Sequence, residues 1–284
     1  MYAVCMISPF ASRRTFLGAS AAALALPKIG FSATAPESGG FQLGVASYSL
    51  RKFPRPQAID MIKQLGVKYV NIKDFHLAMN STPDEIRAAV KEFQDAGLVI
   101  LGGGNISFQK DDEAEIRKNF EYAKAAGMPL IVCAPTHETL PKMEKYVKEY
   151  NIKIAVHNHG PEDKHFPTPQ SVLAVVKNMD PRCGLCIDIG HTARTGVDVI
   201  ESIREAGPRL LDMHVKDLKD FKSRASQVDV GDGIMPFPGI FKQLHKMNYQ
   251  AGVMLEYEIH ESDPMPGMQK SFAYMRGVLA GLRG

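Results

Sequence analysis

One pattern recurs eight times along this chain: a short apolar run followed by an amphipathic stretch. The runs are FQLGVASYS, VKYVNIKD, LVILGGGN, MPLIVCAP, IKIAVHNH, CGLCIDIGH, LLDMHVKD and AGVMLEYEI. Amphipathic segments such as TPDEIRAAVKEFQDAG and DDEAEIRKNFEYAKAAG separate them, and GMQKSFAYMRGVLAGL closes the series. Strands that alternate with helices pair in parallel. Eight such units in residues 36–284 match the roughly 250 residues of a single (β/α)8 TIM barrel. A doubly wound open sheet is the competing arrangement. It lacks support, because GVASYSLRKFP rather than a glycine-rich phosphate loop follows the first strand. Helix signals fall in the right order, with Thr82-Pro83-Asp84-Glu85 at one start and Gly97, Gly127 and Gly207 at ends. The expected fold is therefore α/β, one barrel domain over 36–284.

Residues 1–35 read differently. Ser12, Arg13, Arg14, Phe16 and Leu17 form a twin-arginine export pattern ahead of the apolar run Ala19–Leu26, and Ala33-Thr34-Ala35 offers a cleavage point. That run is shorter than the roughly 20 residues that span a bilayer, so no stable membrane insertion is expected. The expected location is periplasmic or otherwise extracytoplasmic. Removing the segment takes Arg13, Arg14 and Lys28 and no acid, which lowers Lys+Arg from 34 to 31 against 31 Asp+Glu. A formally neutral mature chain lacks the basic footprint of a nucleic-acid binder. Cys183 and Cys186 form a CxxC, but within a strand positions three apart face opposite sides, so they read as buried thiols rather than a redox pair.

Barrel enzymes place their chemistry at the C-terminal ends of the strands. Polar residues gather there: Lys73, Asp74 and His76 after strand two, Asn105 after three, His137 after four. His157, Asn158 and His159 end strand five, Asp188 and His191 strand six, His214, Lys216 and Asp217 strand seven, and Glu256 and Glu258 strand eight. Six of the nine histidines belong to this set, which an even scatter would not produce. His157, Asp188, His214 and Glu256, one from each consecutive strand, are the candidate metal ligands. Imidazole mixed with carboxylate suits Mn²⁺, Zn²⁺, Co²⁺ or Fe²⁺ better than Mg²⁺ or Ca²⁺. His159 and His191 are candidate bases, Lys73 and Lys216 candidate stabilisers of negative oxygen, and Glu258 a partner or acid. His76, Asn105 and His137 are candidate substrate contacts. The glycine-bearing loop VGDG at 230–233 is a candidate for closing over a substrate.

With CIDIGHTA, MHVKD, VGDGIMPFPGIFKQL and GVMLEYE, the chain over about residues 41–282 resembles the xylose-isomerase-like TIM-barrel superfamily of sugar isomerases, epimerases and related lyases. The resemblance implies a divalent metal held by a Glu, an Asp, a His and a Glu from strands five to eight. Asp188, His214 and Glu256 match the last three; His157 stands where the family commonly has glutamate. In the family's epimerases two glutamates pass a proton between opposite faces, and an imidazole at 157 breaks that pair.

The expected activity is thus an exported, metal-dependent isomerase or epimerase acting beside the carbonyl of a small carbohydrate. A lyase or dehydratase on keto-sugars or 3-keto-glycosides is the first alternative, since a lost proton can be followed by β-elimination. A non-catalytic sugar-binding or partner barrel is the second. The apurinic-endonuclease branch is disfavoured by the neutral charge and the export pattern. The oligomeric state is left open, a homo-oligomer included.

Overall fold

The structure, a computed structural model, describes residues 40–282. The export segment expected over 1–35 lies outside the described residues. Eight parallel strands close into a barrel: β1 (Gln42–Ala46), β2 (Tyr69–Ile72), β3 (Val99–Phe108), β4 (Leu130–Pro135), β5 (Lys153–His157), β6 (Cys183–Asp188), β7 (Leu210–Val215) and β10 (Gly252–Leu255). Each pairs with its neighbour in chain order, and β1 pairs with β10 to close the ring. Between β7 and β10 a two-stranded hairpin, β8 (Asp217–Leu218) and β9 (Gln227–Val228), sits off the barrel. The expected single-domain (β/α)8 barrel is the observed fold of the described residues.

The outer helices are α1 (Arg55–Gln64), α2 (Pro83–Asp95), α3 (Glu113–Ala125), α4 (Thr139–Tyr150), α5 (Pro169–Val176), α6 (Ile189–Arg194), α7 (Val199–Ala206), α8 (Phe237–Lys246) and α9 (Met265–Gly281). The start read at Thr82 is a full capping box: Glu85 N–H donates to the Thr82 hydroxyl, and the Glu85 side chain accepts from Thr82 N–H. Such a cap contributes about 1 kcal/mol. One helix was not expected. α6 begins directly on the last residue of β6, because the Asp188 carboxylate accepts the His191 backbone N–H at 2.8 Å and so caps a new turn. Among the described residues no helix is long and apolar enough to cross a membrane.

The period-two alternation of the strands separates two cores. Ile154, Val156, Leu185, Ile187, Met213, Val215, Val253 and Leu255 point outward into the large cluster shared with the helices. Leu130, Val132, Ala155 and Cys186 point inward and form a small cluster inside the ring. Cys183 joins the outer cluster and Cys186 the inner one, so the CxxC pair is split across the strand and both thiols are free.

Candidate active site

Two positions beyond the inner layer of Ala155, Cys186, Asp212 and Met254, the same alternation brings His157, Asp188, His214 and Glu256 to the interior at the strands' C-terminal ends. All four are buried, and each offers a ligand atom within 4.8 Å of the others. His157 Nε2 stands 2.9 Å from His214 Nδ1 and 3.6 Å from Asp188 Oδ2, and His214 Nδ1 is 3.3 Å from Glu256 Oε1. A tetrahedral shell with bonds of about 2.0–2.1 Å separates its donors by roughly 3.3 Å, which these spacings bracket. Asp188 Oδ2 is buried without a hydrogen-bond partner, as are His157 Nδ1, His214 Nε2 and Asn71 Oδ1. Buried polar atoms rarely go unpaired, and of these Asp188 Oδ2 is the one that faces the other donors, 3.6 Å from His157 Nε2; His157 Nδ1 and His214 Nε2 are the ring nitrogens outside those contacts. The donor set fits a divalent transition metal. Cys186 lies beside His157 and His214 as an alternative third donor, but burial drives its thiol pKa well up and it stays protonated.

Two lysines balance the carboxylates. Lys216 Nζ is 3.1 Å from both Asp188 Oδ2 and Glu256 Oε2 and also contacts Glu258 Oε1, while Lys73 Nζ is 3.4 Å from Glu256 Oε1. Burial alone favours protonated acids here. Against it, Lys216 holds Asp188 well below the usual carboxylate range, and His214, Lys216 and Lys73 do the same for Glu256. For Lys216 burial is likewise outweighed by the three carboxylates, which raise its pKa. Burial lowers the His157 pKa well below the ordinary imidazole value, so its ring is neutral and able to ligate. Gly190 of the Asp-Ile-Gly-His turn is where it is because a Cβ there would meet Lys216 Cγ at 2.6 Å.

The rim is built by the segments after β5 and β6, which are tied together. Asn158 accepts from Asp188 N–H and donates to Thr192 Oγ1, and Arg194 contacts Glu162. Gly160 has φ +81° and a Cβ there would crowd His191 O at 3.2 Å, so this approach requires glycine. The His159 ring lies 4.4 Å from that of His157 and 5.7 Å from that of His191. Asn105 reaches this rim, with Nδ2 2.9 Å from His159 Nε2.

Two expected substrate contacts stand apart. His76 is buried with both ring nitrogens engaged, Nδ1 with Ser47 Oγ at 2.9 Å and Nε2 with the Phe53 carbonyl at 3.2 Å, so it pins the β1 and β2 loops. His137 is exposed and packs on Phe166, with ring centroids 4.6 Å apart. The 230–233 loop is anchored rather than free: Asp217 accepts from Gly231, Gly233 and Met235 N–H at 2.9–3.1 Å.

Sequence reasoning missed Asp212 and Asp163. Asp212 is inward-facing on β7, two residues before His214, and its Oδ2 is 3.9 Å from His214 Nε2. The period-two rule that found His214 places it on the same face. Asp163 lies in the loop after β5 with Oδ2 3.4 Å from His159 Nδ1. No periodicity marks it.

A model of the xylose isomerase-like TIM barrel matches residues 59–278. The chain belongs to that family. Over 151 residues, 48% of this chain and 45% of the relative, it is 25% identical to the rhizopine catabolism protein MocC of Rhizobium meliloti. The chain spans less than half the length of the curated relatives it matches. Among solved structures it is similar to the IolI protein with a binding zinc atom, with a TM-score of 0.71 at 17% identity, covering 85% of this chain and 99% of that one. It is also similar to D-psicose 3-epimerase in the presence of D-fructose, with a TM-score of 0.67 at 17% identity, covering 86% and 98%. Both likenesses are of fold. Xylose isomerase-like barrels among these matches thus include an epimerase, and the inward donor quartet is this chain's own candidate metal centre.

Proposed function

We propose that this chain is an exported, divalent-metal-dependent enzyme that removes a proton beside the carbonyl of a sugar or keto-sugar. The observation that carries the reading is the buried quartet His157, Asp188, His214 and Glu256 at the mouth of a xylose isomerase-like barrel. Its two nitrogens and two oxygens suit Mn²⁺, Zn²⁺, Co²⁺ or Fe²⁺. The zinc in the similarly folded IolI protein supports this choice of metals. When bound, the ion supplies Lewis-acid polarisation of the substrate carbonyl.

The chain's residues supply the remainder. Lys216 contacts three carboxylates and keeps Asp188 and Glu256 ionised as ligands. Lys73, across Glu256, faces negative charge that develops on a substrate oxygen. His159 and His191 stand beside the quartet as the groups that exchange protons with the substrate, and Asn105 positions it. A small carbohydrate, free or oxidised, fits an exported enzyme better than a sugar phosphate, and the formally neutral mature chain gives no reason to add nucleic acid.

A lyase is the second reading, and the imidazole at 157 favours it. Without a strand-five carboxylate to return a proton on the opposite face, a carbanion formed beside the carbonyl can instead expel a β-substituent. Metal-loaded protein incubated with keto-sugars and 3-keto-glycosides in D₂O, followed by NMR, tests both. Deuterium beside the carbonyl is the expected outcome, with the products separating isomerase from lyase. An isomerised product with no solvent deuterium, or an eliminated product that keeps the hydrogen beside the carbonyl, refutes proton abstraction.

A further inference from the structure

The loop after β5 holds an acid against the second histidine of the HNH segment. Asp163 Oδ1 accepts the backbone N–H groups of His165 at 2.8 Å and Phe166 at 3.1 Å, which fixes the plane of the carboxylate. Its other oxygen faces His159 Nδ1 at 3.4 Å. Burial alone would raise the Asp163 pKa, but the contact with His159 and the two backbone donors bring it down to about 2. An ionised carboxylate only accepts hydrogen bonds. Nδ1 of His159 therefore carries the ring proton, and Nε2 keeps its lone pair. That nitrogen lies at the rim, 2.9 Å from Asn105 Nδ2, whose N–H can donate to it until a substrate does.

His191 has the opposite polarity. Arg194 Nη1 lies 3.4 Å from His191 Nδ1, and a guanidinium only donates. Nδ1 of His191 is the acceptor, so the ring proton sits on Nε2. Two histidines that were equivalent candidates in the sequence are thus distinguished by their neighbours.

We propose that His159 is the base of this site and that Asp163 is its positioning residue, holding the ring in the Nδ1–H tautomer with Nε2 open to the substrate. The proposal rests on the enolisation reading above. In the step it describes, a C–H bond beside the substrate carbonyl breaks and its proton passes to His159 Nε2. The bond's electron pair forms the C=C of an enediolate as the carbonyl π pair moves onto oxygen. Asp163 stabilises the resulting imidazolium. Return of the proton to the former carbonyl carbon, with the adjacent hydroxyl becoming the new carbonyl as its proton passes to the former carbonyl oxygen, completes an isomerisation. Alternatively, departure of a β-substituent with its bonding pair re-forms the carbonyl beside a new C=C, and the His159 proton passes to the leaving group.

The test uses the mature chain loaded with Zn²⁺ and labelled with ¹⁵N-histidine. In wild type, His159 is expected as Nδ1–H. In Asp163→Asn the amide oxygen must keep the two backbone donors, so the NH₂ faces Nδ1 and drives the ring to the Nε2–H tautomer. Deuterium exchange into substrate should then fall about 10²–10⁴-fold in kcat with KM nearly unchanged. Asp163→Glu should recover part of it. His159→Gln should lose exchange while keeping its zinc by elemental analysis. An Nε2–H His159 in wild type, or undiminished exchange in folded Asp163→Asn, overturns the dyad. Absence of exchange in wild type that shows the expected tautomer overturns the enolisation reading and the catalytic role of the dyad, leaving only the Asp163–His159 pairing.

Discussion

Replacing Asp212 with asparagine removes a carboxylate that the barrel interior disfavours. Asp212 is 2% exposed on the inner face of β7; its Oδ2 accepts from Asn71 Nδ2 at 3.0 Å and lies 3.9 Å from both His214 Nε2 and Cys186 Sγ. Burial is the largest influence and raises its pKa to about 6, although His214, the Met213 N–H and Asn71 all pull the other way. The unfolded chain has the ordinary value of about 3.9. A pKa raised by folding stabilises the native state fully below the unfolded value, and that contribution is lost as pH rises through about 6. A shift of about two units corresponds to about 3 kcal/mol. Metal-free wild type should therefore lose about 3 kcal/mol relative to Asp212→Asn between pH 4 and pH 8, or about 6–12 °C in Tm for a chain of this size. Asparagine keeps the shape, and its amide oxygen can take the Asn71 donor in the place of Oδ2. Chelator-treated protein melted in urea at intervals across that range gives the comparison. Parallel stability curves for the two proteins, or a wild type that gains on the variant with rising pH, refute the reasoning. Added Zn²⁺ favours the ionised Asp212 and should narrow the gap at pH 8.

At a free metal concentration 100-fold above Kd, wild type should gain about 2.7 kcal/mol, or about 5–11 °C, whereas His214→Ala should gain nothing and purify without stoichiometric metal. An equal shift in both proteins would remove His214 from the ligand set. Lys216→Met should destabilise the metal-free protein by about 3–5 kcal/mol, because Asp188, Glu256 and Glu258 then confront one another with only Lys73 nearby. A divalent cation should recover more stability in that variant than in wild type, as read by thermal melts, and a smaller gain would count against the shared charge cluster.

The barrel and the convergence of its candidate metal quartet were legible because both obey a local period. Strand alternation sends every second side chain inward, so a polar residue at the inward end of an apolar run marks itself, as His157, Asp188, His214 and Glu256 do. The same rule reached Asp212, had it been applied one step below His214. Beyond the strand ends the rule stops. His76 and His137 follow strands just as His159 does, yet the first turns back onto Ser47 and the second out to solvent. The direction a loop takes depends on tertiary contacts such as Asn158 with Thr192, not on spacing. α6 escaped notice for a related reason: six residues nucleated by one carboxylate carry too short a stripe to show a helical period.

Charge explains how a histidine can occupy the strand-five position without emptying the site of chemistry. The cluster holds three carboxylates, Asp188, Glu256 and Glu258, and two ammonium groups, Lys73 and Lys216, for a formal charge of −1 with neutral His157. A glutamate at 157 would make the site one unit more negative. With imidazole there, and Asp212 ionised beside His214, the loaded site keeps that unit of positive charge for the negative charge that an enediolate brings on the proposed reading. On the proposed reading the proton passes instead to His159, two residues along the chain, whose Nε2 the loop after β5 places at the rim with Asp163 behind it.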